Sequence, residues 1–395
     1  MSDPIKRAPN GTYEFVIDLG PGLDGKGAWQ ARRQARRRGF ARKDEAKTAL
    51  AALRVKVDTS AYVPASRLTV REFVEGRWLP AVAAELRPST LASYRRNLRL
   101  HVLPALGQVP LQQLDASQIQ RLYAQLLATG RKDHATGKGL SVRTVRYLHT
   151  ILKAALKTAV GWELLTRNPA DGARPPRASS VADGTSPIST WTREQLGAFL
   201  DTTSGERLGP LWRFLAMTGC RRGEALGLSW ESVDLDEGRV QIRRTLIDAD
   251  HGVPVWSDPK TARGRRSVQL DAGTIAVLRQ LRVAQAAERL AIGAGYTEHG
   301  LVFCWPDGRP LHPDRVSKQY VRAAQRHGFP VIRLHDLRHT WATLALEGGV
   351  HPKIVSERLG HSNISITLDV YSHVSPAMQS DAAERVAGLI LGSHP

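Results

Sequence analysis

Residues 335–339, HDLRH, pack two histidines, an aspartate and an arginine into five positions at the mouth of an apolar run. On a helix, positions i, i+3 and i+4 share a face, so His335, Arg338 and His339 are predicted to point the same way. Such a patch suits a zinc site related to H-E-x-x-H, a phosphate clamp, or a polar helix start. Three other segments concentrate comparable groups. LAMTGCRRGEALGLSW carries Arg221, Arg222 and Glu224 just after a Thr-Gly turn. SDPKTARGRRSVQL carries Lys260 in a turn between two expected strands, and ERLGHSNISITLDVYSHV carries His361 and, ten positions on, Tyr371.

One reaction would use all of these groups. Arginine's planar fork binds two phosphate oxygens at once, and a pair of arginines can hold the charge that builds on a five-coordinate phosphorus. A tyrosine hydroxyl becomes a nucleophile when cationic neighbours favour the phenolate over its usual pKa of about 10. The leaving 5′-oxygen needs a proton, which a lysine or histidine can supply. Arg221, Arg338, Lys260, His335, His361 and Tyr371 therefore form a complete set for metal-free phosphoryl transfer through a phosphotyrosine. Many basic proteins contain such an inventory, so the weight falls on order and spacing. The zinc reading fares worse. Asp336 stands where a glutamate base belongs, and Arg338 would place a permanent cation beside the metal, although His361 remains available as a third ligand. No metal and no cofactor are expected.

The ordered string T-G-x-R-x-x-E at 218–224, P-K-T at 259–261, H-D-L-R-H-T at 335–340, L-G-H at 359–361 and Y-S-H at 371–373 resembles the tyrosine recombinase, or phage integrase, family. The resemblance spans residues 67 to 375 and is specific because several polar signatures occur in the correct order. It implies attack of Tyr371 on a DNA phosphate, a 3′-phosphotyrosyl link, and rejoining to a different 5′-hydroxyl without metal or cofactor. By the same resemblance Arg221 and Arg338 hold the non-bridging oxygens, and Lys260 is the general acid. His335 exchanges a proton with Tyr371, His361 bonds the phosphate, and Glu224 orients a catalytic group. A site-specific integrase of a phage or other mobile element is the function implied. A Xer-like chromosome or plasmid resolvase and a type IB topoisomerase-like relaxing enzyme are the alternatives. The implied partners are double-stranded DNA at core-type and arm-type sites, three further copies in a homotetramer, a host bending factor and a directionality factor. The implied location is the cytoplasm of a bacterial host, on DNA.

The rest of the sequence must position these groups. The chain has 395 residues, 42% of them hydrophobic, which is enough for two or three real cores. A formal charge of +19 calls for a polyanionic partner. No run of about 18 apolar residues is present, so a membrane is not expected. Two cysteines, neither in a C-x-x-C, give no disulfide framework and fit a reducing compartment. The fold expected is α+β but mostly α, in several domains. Residues 1–64 read as a small β-sheet-plus-helix unit, with TYEFVID as a strand and PGLDGKG as a turn. AWQARRQARRRGFARK is a basic segment carrying Arg32, Arg33, Arg36, Arg37 and Arg38 with no acid among them. Either it is a solvated edge or it lies against DNA, and its uncompensated charge favours DNA. Strand, basic strand and helix in that order resemble the arm-type DNA-binding domain of phage integrases.

Residues 65–172 read as a four-helix core-binding module with Arg95, Arg96 and Arg99 as DNA-contacting candidates and Ser89 or Thr90 as a helix cap. Residues 173–187 read as a linker. Residues 188–395 form the largest, mainly helical unit, with a small antiparallel sheet, a long helix over 271–292, a strand at LVFC and an apolar tail helix including Val386, Leu389 and Ile390. In this unit Arg222, Arg265 and Arg266 read as surface or backbone contacts. Tyr320 is the weaker nucleophile candidate, and Tyr94 and Tyr123 read as core or DNA-facing packing.

Overall fold

The structure is a computed structural model. It describes residues 4–23, 29–58, 63, 65–130, 139–177, 189–248, 254–257, 265–361, 363–365, 367–368, 387 and 390–391. The chain divides into two compact units, Met1–Gly184 and Thr185–Pro395.

The first unit opens with an antiparallel sheet of β1 (Ile5–Arg7), β2 (Tyr13–Leu23) and β3 (Trp29–Phe40), followed by α1 (Lys43–Asp58). β2 runs through Pro21–Leu23, which the sequence suggested as the start of a turn. Strand alternation sorts the side chains: Phe15 and Ala35 face Ala46, Leu50 and Leu53 of the helix in one small core. Val16 and Arg36, paired across the strands, lie on the other face.

The same unit contains a helical module. α2 (Val70–Phe73) passes through a π-helical turn (Val74–Trp78) into α3 (Leu79–Val82). α4 (Pro88–Asn97) passes likewise through Leu98–Val102 into α5 (Leu103–Leu106), and α6 (Ala116–Thr129) and α7 (Val142–Gly161) follow. Both π turns directly precede a Leu-Pro pair, Leu79-Pro80 and Leu103-Pro104. Proline lacks an N–H and crowds the carbonyl one turn back, and a widened turn relieves both. Capping boxes start α2 at Thr69/Glu72 and α6 at Asp115/Gln118. The expected Ser89 or Thr90 cap is not used: α4 begins at Pro88, whose fixed φ suits a first helical position. Trp78, Tyr123, Leu148, Leu152 and Leu156 fill the core.

The second unit carries α8 (Arg193–Thr202), α9 (Gly209–Thr218) and α10 (Arg222–Leu226). Strands β4 (Val233–Asp234), β5 (Arg239–Ile242), β6 (Thr245–Asp248), β7 (Pro254–Ser257) and β8 (Arg266–Gln269) come next. They make two antiparallel sheets, one ordered β4-β5-β8 and one β6-β7. α11 (Ala272–Ile292), α12 (Pro313–Arg326), α13 (Asp336–Glu347) and α14 (Pro352–Leu359) complete the described elements. The LVFC segment is not a strand: Leu301 and Cys304 make single bridges to Ser229 and Pro310, and all four side chains are buried. An apolar run buried on every side reads like a strand in sequence, which explains the mismatch. Trp191, Phe199, Trp212 and Tyr320 meet ring to ring in the core, their centroids 4.8–5.8 Å apart.

Candidate active site

The site grows from two glycine turns. α9 ends at Gly219 with φ +63°, and α14 ends at Gly360 with φ +66°, both in the left-handed region that glycine enters without a Cβ penalty. These turns aim backbone carbonyls at the two arginines singled out by sequence. Arg338 donates from its two terminal nitrogens to Gly219 O (2.8 Å) and Leu359 O (2.7 Å). Arg221 donates to the next carbonyl, Gly360 O, at 3.0 Å. The two guanidinium groups thus dock on consecutive carbonyls at the negative end of a helix, where cations are favoured.

Glu224, buried one turn into α10, completes the mount. Its Oε1 accepts from the Arg221 side chain at 2.8 Å, and its Oε2 accepts the Arg221 backbone N–H at 2.9 Å. Arg266 grips the same carboxylate, donating to Oε2 at 2.9 Å. Burial would raise the Glu224 carboxyl, but Arg266 and Arg221 hold it below the usual range. Arg221 keeps 40% of its side chain exposed while Arg338 is only 4% exposed, so Arg221 is the arginine open to an incoming ligand. Burial, then the neighbouring Arg221 charge, depresses Arg338 below its ordinary value. The result is a cluster of positive charge poorly supplied with water, which is what a phosphate diester would relieve.

His335 occupies the N-cap position of α13 without a side-chain capping bond, within reach of the Arg338 and Arg221 charges. The residue is exposed, yet desolvation by the protein packed around part of it, then the neighbouring His339 and Arg338, pushes it from 6.5 down to about 4. The His339 ring stands perpendicular to it at 5.2 Å, so the predicted common face of His335 and His339 is present. Asp336 plays no part in a histidine cluster: both carboxylate oxygens are taken by Arg333 at 2.8–2.9 Å. His361 follows Gly360 directly, and its Nδ1 lies 2.8 Å from the hydroxyl of buried Thr367. Burial, then Arg338 and Arg221, pushes His361 down to about 4. In the tautomer where Thr367 donates to Nδ1, the ring's proton sits on Nε2 and is available to donate elsewhere.

Arg221, Glu224 and Arg338 are therefore joined through hydrogen bonds and the adjacent carbonyls of Leu359 and Gly360, and His361 is the next residue along the chain. Lys260 and Tyr371 lie outside the described residues, as do Val386 and Leu389 of the expected tail helix. Arg266 corrects the sequence-based expectation: it is not a surface residue but 8% exposed, bonded to Glu224 and to Arg358 O at 2.6 Å. Arg358 was also missed; it donates to Met217 O and Gln269 O and lies over the Trp341 ring. Their basic side chains gave no hint of burial in the sequence. Tyr320 is fully buried in aromatic packing, and burial drives its hydroxyl up, far from a phenolate. Tyr123 (hydrogen-bonded to His149 at 2.8 Å) and Tyr94 (stacked on Trp78) pack inside the helical module.

The basic residues of the first unit are less uniform than their sequence suggested. Counter-charges come from the neighbouring strand: Arg32 pairs with Asp18 at 2.9 Å and Arg36 with Glu14. Arg33 donates to Gly20 O, while Arg37 and Arg38 are exposed. In the helical module Arg99 pairs with Glu75 at 2.8 Å, Arg96 is exposed and Arg95 is half-buried.

One partly exposed and one buried arginine thus share the end of α14 with His361, and the fold around them has known counterparts. The phage integrase family profile matches residues 191–378, and the profile of the phage integrase N-terminal SAM-like domain matches residues 69–127. A tyrosine recombinase XerC-like protein of Caldanaerobacter subterraneus is 31% identical over 333 residues, covering 80% of this chain and 82% of its own. The ICEBs1 integrase of Bacillus subtilis is 27% identical, covering 69% of this chain and 73% of its own. In fold, the chain resembles the Tn1549 transposon integrase solved with transposon right end DNA (TM-score 0.62, 21% identity, 81% of this chain and 99% of that one). The chain belongs to the phage integrase family of tyrosine recombinases, enzymes that cleave and rejoin DNA. Membership gives site-specific recombination rather than the relaxation of supercoils. Among the described residues no helix is long and apolar enough to cross a membrane.

Proposed function

We propose that this chain integrates and excises a mobile element, with Tyr371 as nucleophile and Arg221, Lys260, His335, Arg338 and His361 as its catalytic partners. The observation that carries the assignment is the docking of Arg221 and Arg338 on the consecutive carbonyls of Gly360 and Leu359, directly before His361. Arg221 meets the non-bridging oxygens with donors left over from Glu224 and Gly360, and Arg338 adds desolvated positive charge behind it. His335, neutral at pH 7, accepts the Tyr371 proton as the phenolic oxygen attacks phosphorus. His361 donates from Nε2 to a phosphate oxygen. Lys260 gives a proton to the departing 5′-oxygen. The reverse sequence, with a different 5′-hydroxyl, rejoins the strand, and the phosphotyrosyl bond conserves the energy of the diester.

Three domains follow in this proposal: 1–64 on arm-type sites, 65–172 on core sites with Arg95, Arg96 and Arg99 at the backbone, and 188–395 for chemistry. The exposed cations of β3 favour an integrase that bridges two sites over a Xer-like resolvase. Exchange between two duplexes breaks four strands, so four copies act together on DNA, with a host bending factor and a directionality factor setting the outcome. The setting is the bacterial cytoplasm.

The test starts from the attachment core mapped by sequencing element–chromosome junctions in cells that express the chain. A nicked duplex carrying that core should trap a covalent protein–DNA adduct, and Tyr371→Phe should abolish it. An adduct that survives Tyr371→Phe would reject the mechanism.

A further inference from the structure

Arg266 is a buried cation that the reaction scheme leaves unused. With 8% of its side chain exposed, it cannot lie against a DNA backbone. Its Nε donates to Arg358 O at 2.6 Å, and a terminal nitrogen donates to Glu224 Oε2 at 2.9 Å. The other oxygen of Glu224 takes the Arg221 side chain, and Oε2 also takes the Arg221 backbone N–H. Arg266 therefore touches both mounts of Arg221. One is the carboxylate at one terminal nitrogen; the other is the last turn of α14, whose Gly360 carbonyl holds the second. A buried guanidinium–carboxylate pair contributes little net stability, because desolvation offsets most of the attraction. The rigid guanidinium instead ties two acceptors together, Glu224 Oε2 through one terminal nitrogen and Arg358 O through Nε, and so fixes the carboxylate relative to the end of α14.

We propose that Arg266 is a positioning residue for DNA cleavage: it touches no substrate, but locks Glu224 and the end of α14 so that Arg221 presents its free donors to the scissile phosphate. The inference rests on the phosphoryl-transfer reading above. It has a signature that mere structural support lacks. If Arg266 acts through Arg221, its loss should matter only while the phosphate carries the charge that Arg221 neutralises. Replacing one non-bridging oxygen by methyl removes that charge from the diester.

The experiment is single-turnover adduct formation on two nicked duplexes, one with a normal scissile phosphate and one with a methylphosphonate there. On the phosphate, Arg266→Ala should be slower than wild type by about 10–100-fold, the range found when residues that orient metal ligands are removed and taken as the scale for orienting Arg221. On the methylphosphonate most of that deficit should vanish, as it should for Arg221→Ala run alongside. Arg266→Lys keeps the charge, but a single ammonium cannot span both acceptors, so it should follow Arg266→Ala. If Arg266→Ala fails to fold by thermal melting, the lysine variant carries the test alone. Equal slowing on both duplexes, or wild-type rates in the folded Arg266 variants, overturns the proposal. Absence of any adduct from wild type on the normal phosphate is a separate failure, of the recombinase mechanism itself.

Discussion

Gly219→Ala is the substitution whose cost the structure defines best. At φ +63° a Cβ forces a side-chain-bearing residue into the left-handed region, at about 1–2 kcal/mol. That Cβ would also lie 2.5 Å from Leu359 Cδ2 and 3.2 Å from the Trp341 ring. Leu359 cannot swing away freely, since it is fully buried against Ala342, Leu346 and Val355. Overpacking of this kind costs about 1–3 kcal/mol, so the sum is about 3 kcal/mol. For a unit of this size each kcal/mol moves the melting temperature by about 3 °C, giving a fall of about 10 °C. Gly300→Ala is the matched control: φ is +61° and nothing lies within 4 Å of its Cβ, so only the backbone cost of about 1–2 kcal/mol applies. Scanning calorimetry of both variants reads the difference. Because Gly219 O and Leu359 O both hold Arg338, covalent adduct formation should fall further than stability alone requires. Equal melting temperatures for the two variants would refute the packing argument, and an unimpaired cleavage rate in Gly219→Ala would refute the link to Arg338.

Stability should depend on pH through the histidines. His335 and His361 titrate near 4 in the folded chain against 6.5 unfolded, so below 6.5 the unfolded state takes up protons that the folded state refuses. Urea midpoints should therefore fall as pH drops from about 6.5 toward 4 and stay level above it, and His361→Gln should flatten part of that slope. Tyr320→Phe removes a buried hydroxyl that has no hydrogen-bond partner among the described residues, so stability should hold or rise slightly and adduct formation should be unchanged. Loss of the adduct would reinstate Tyr320 as a nucleophile candidate. Glu14→Gln releases Arg36 from its ion pair, which should tighten DNA binding and steepen its salt dependence by about one charge's worth. Anisotropy titrations across a salt series that show no change would place this sheet face away from DNA.

Local chemistry made much of this protein legible from its residues in order. Apolar periodicity and turn residues identified most helices and antiparallel strands, because those signals act within a few positions, whereas the one cap expected, at Ser89 or Thr90, is not used. The catalytic candidates stood out because arginine, lysine, histidine and tyrosine in that order suit a single reaction. Where Arg221 and Arg338 come to rest was not legible, since their anchors are backbone carbonyls, and any residue supplies a carbonyl. Only the meeting of the turns at Gly219 and Gly360 makes those particular carbonyls into mounts. The counter-charges of β3 were hidden for a similar reason: Asp18 and Glu14 become neighbours of Arg32 and Arg36 only when β2 pairs with β3. Arg266 shows the limit most clearly. In sequence it is one more basic residue in a basic run, whereas in the fold it is a buried fork on Glu224, and burial is a property of what surrounds a side chain rather than of the side chain itself.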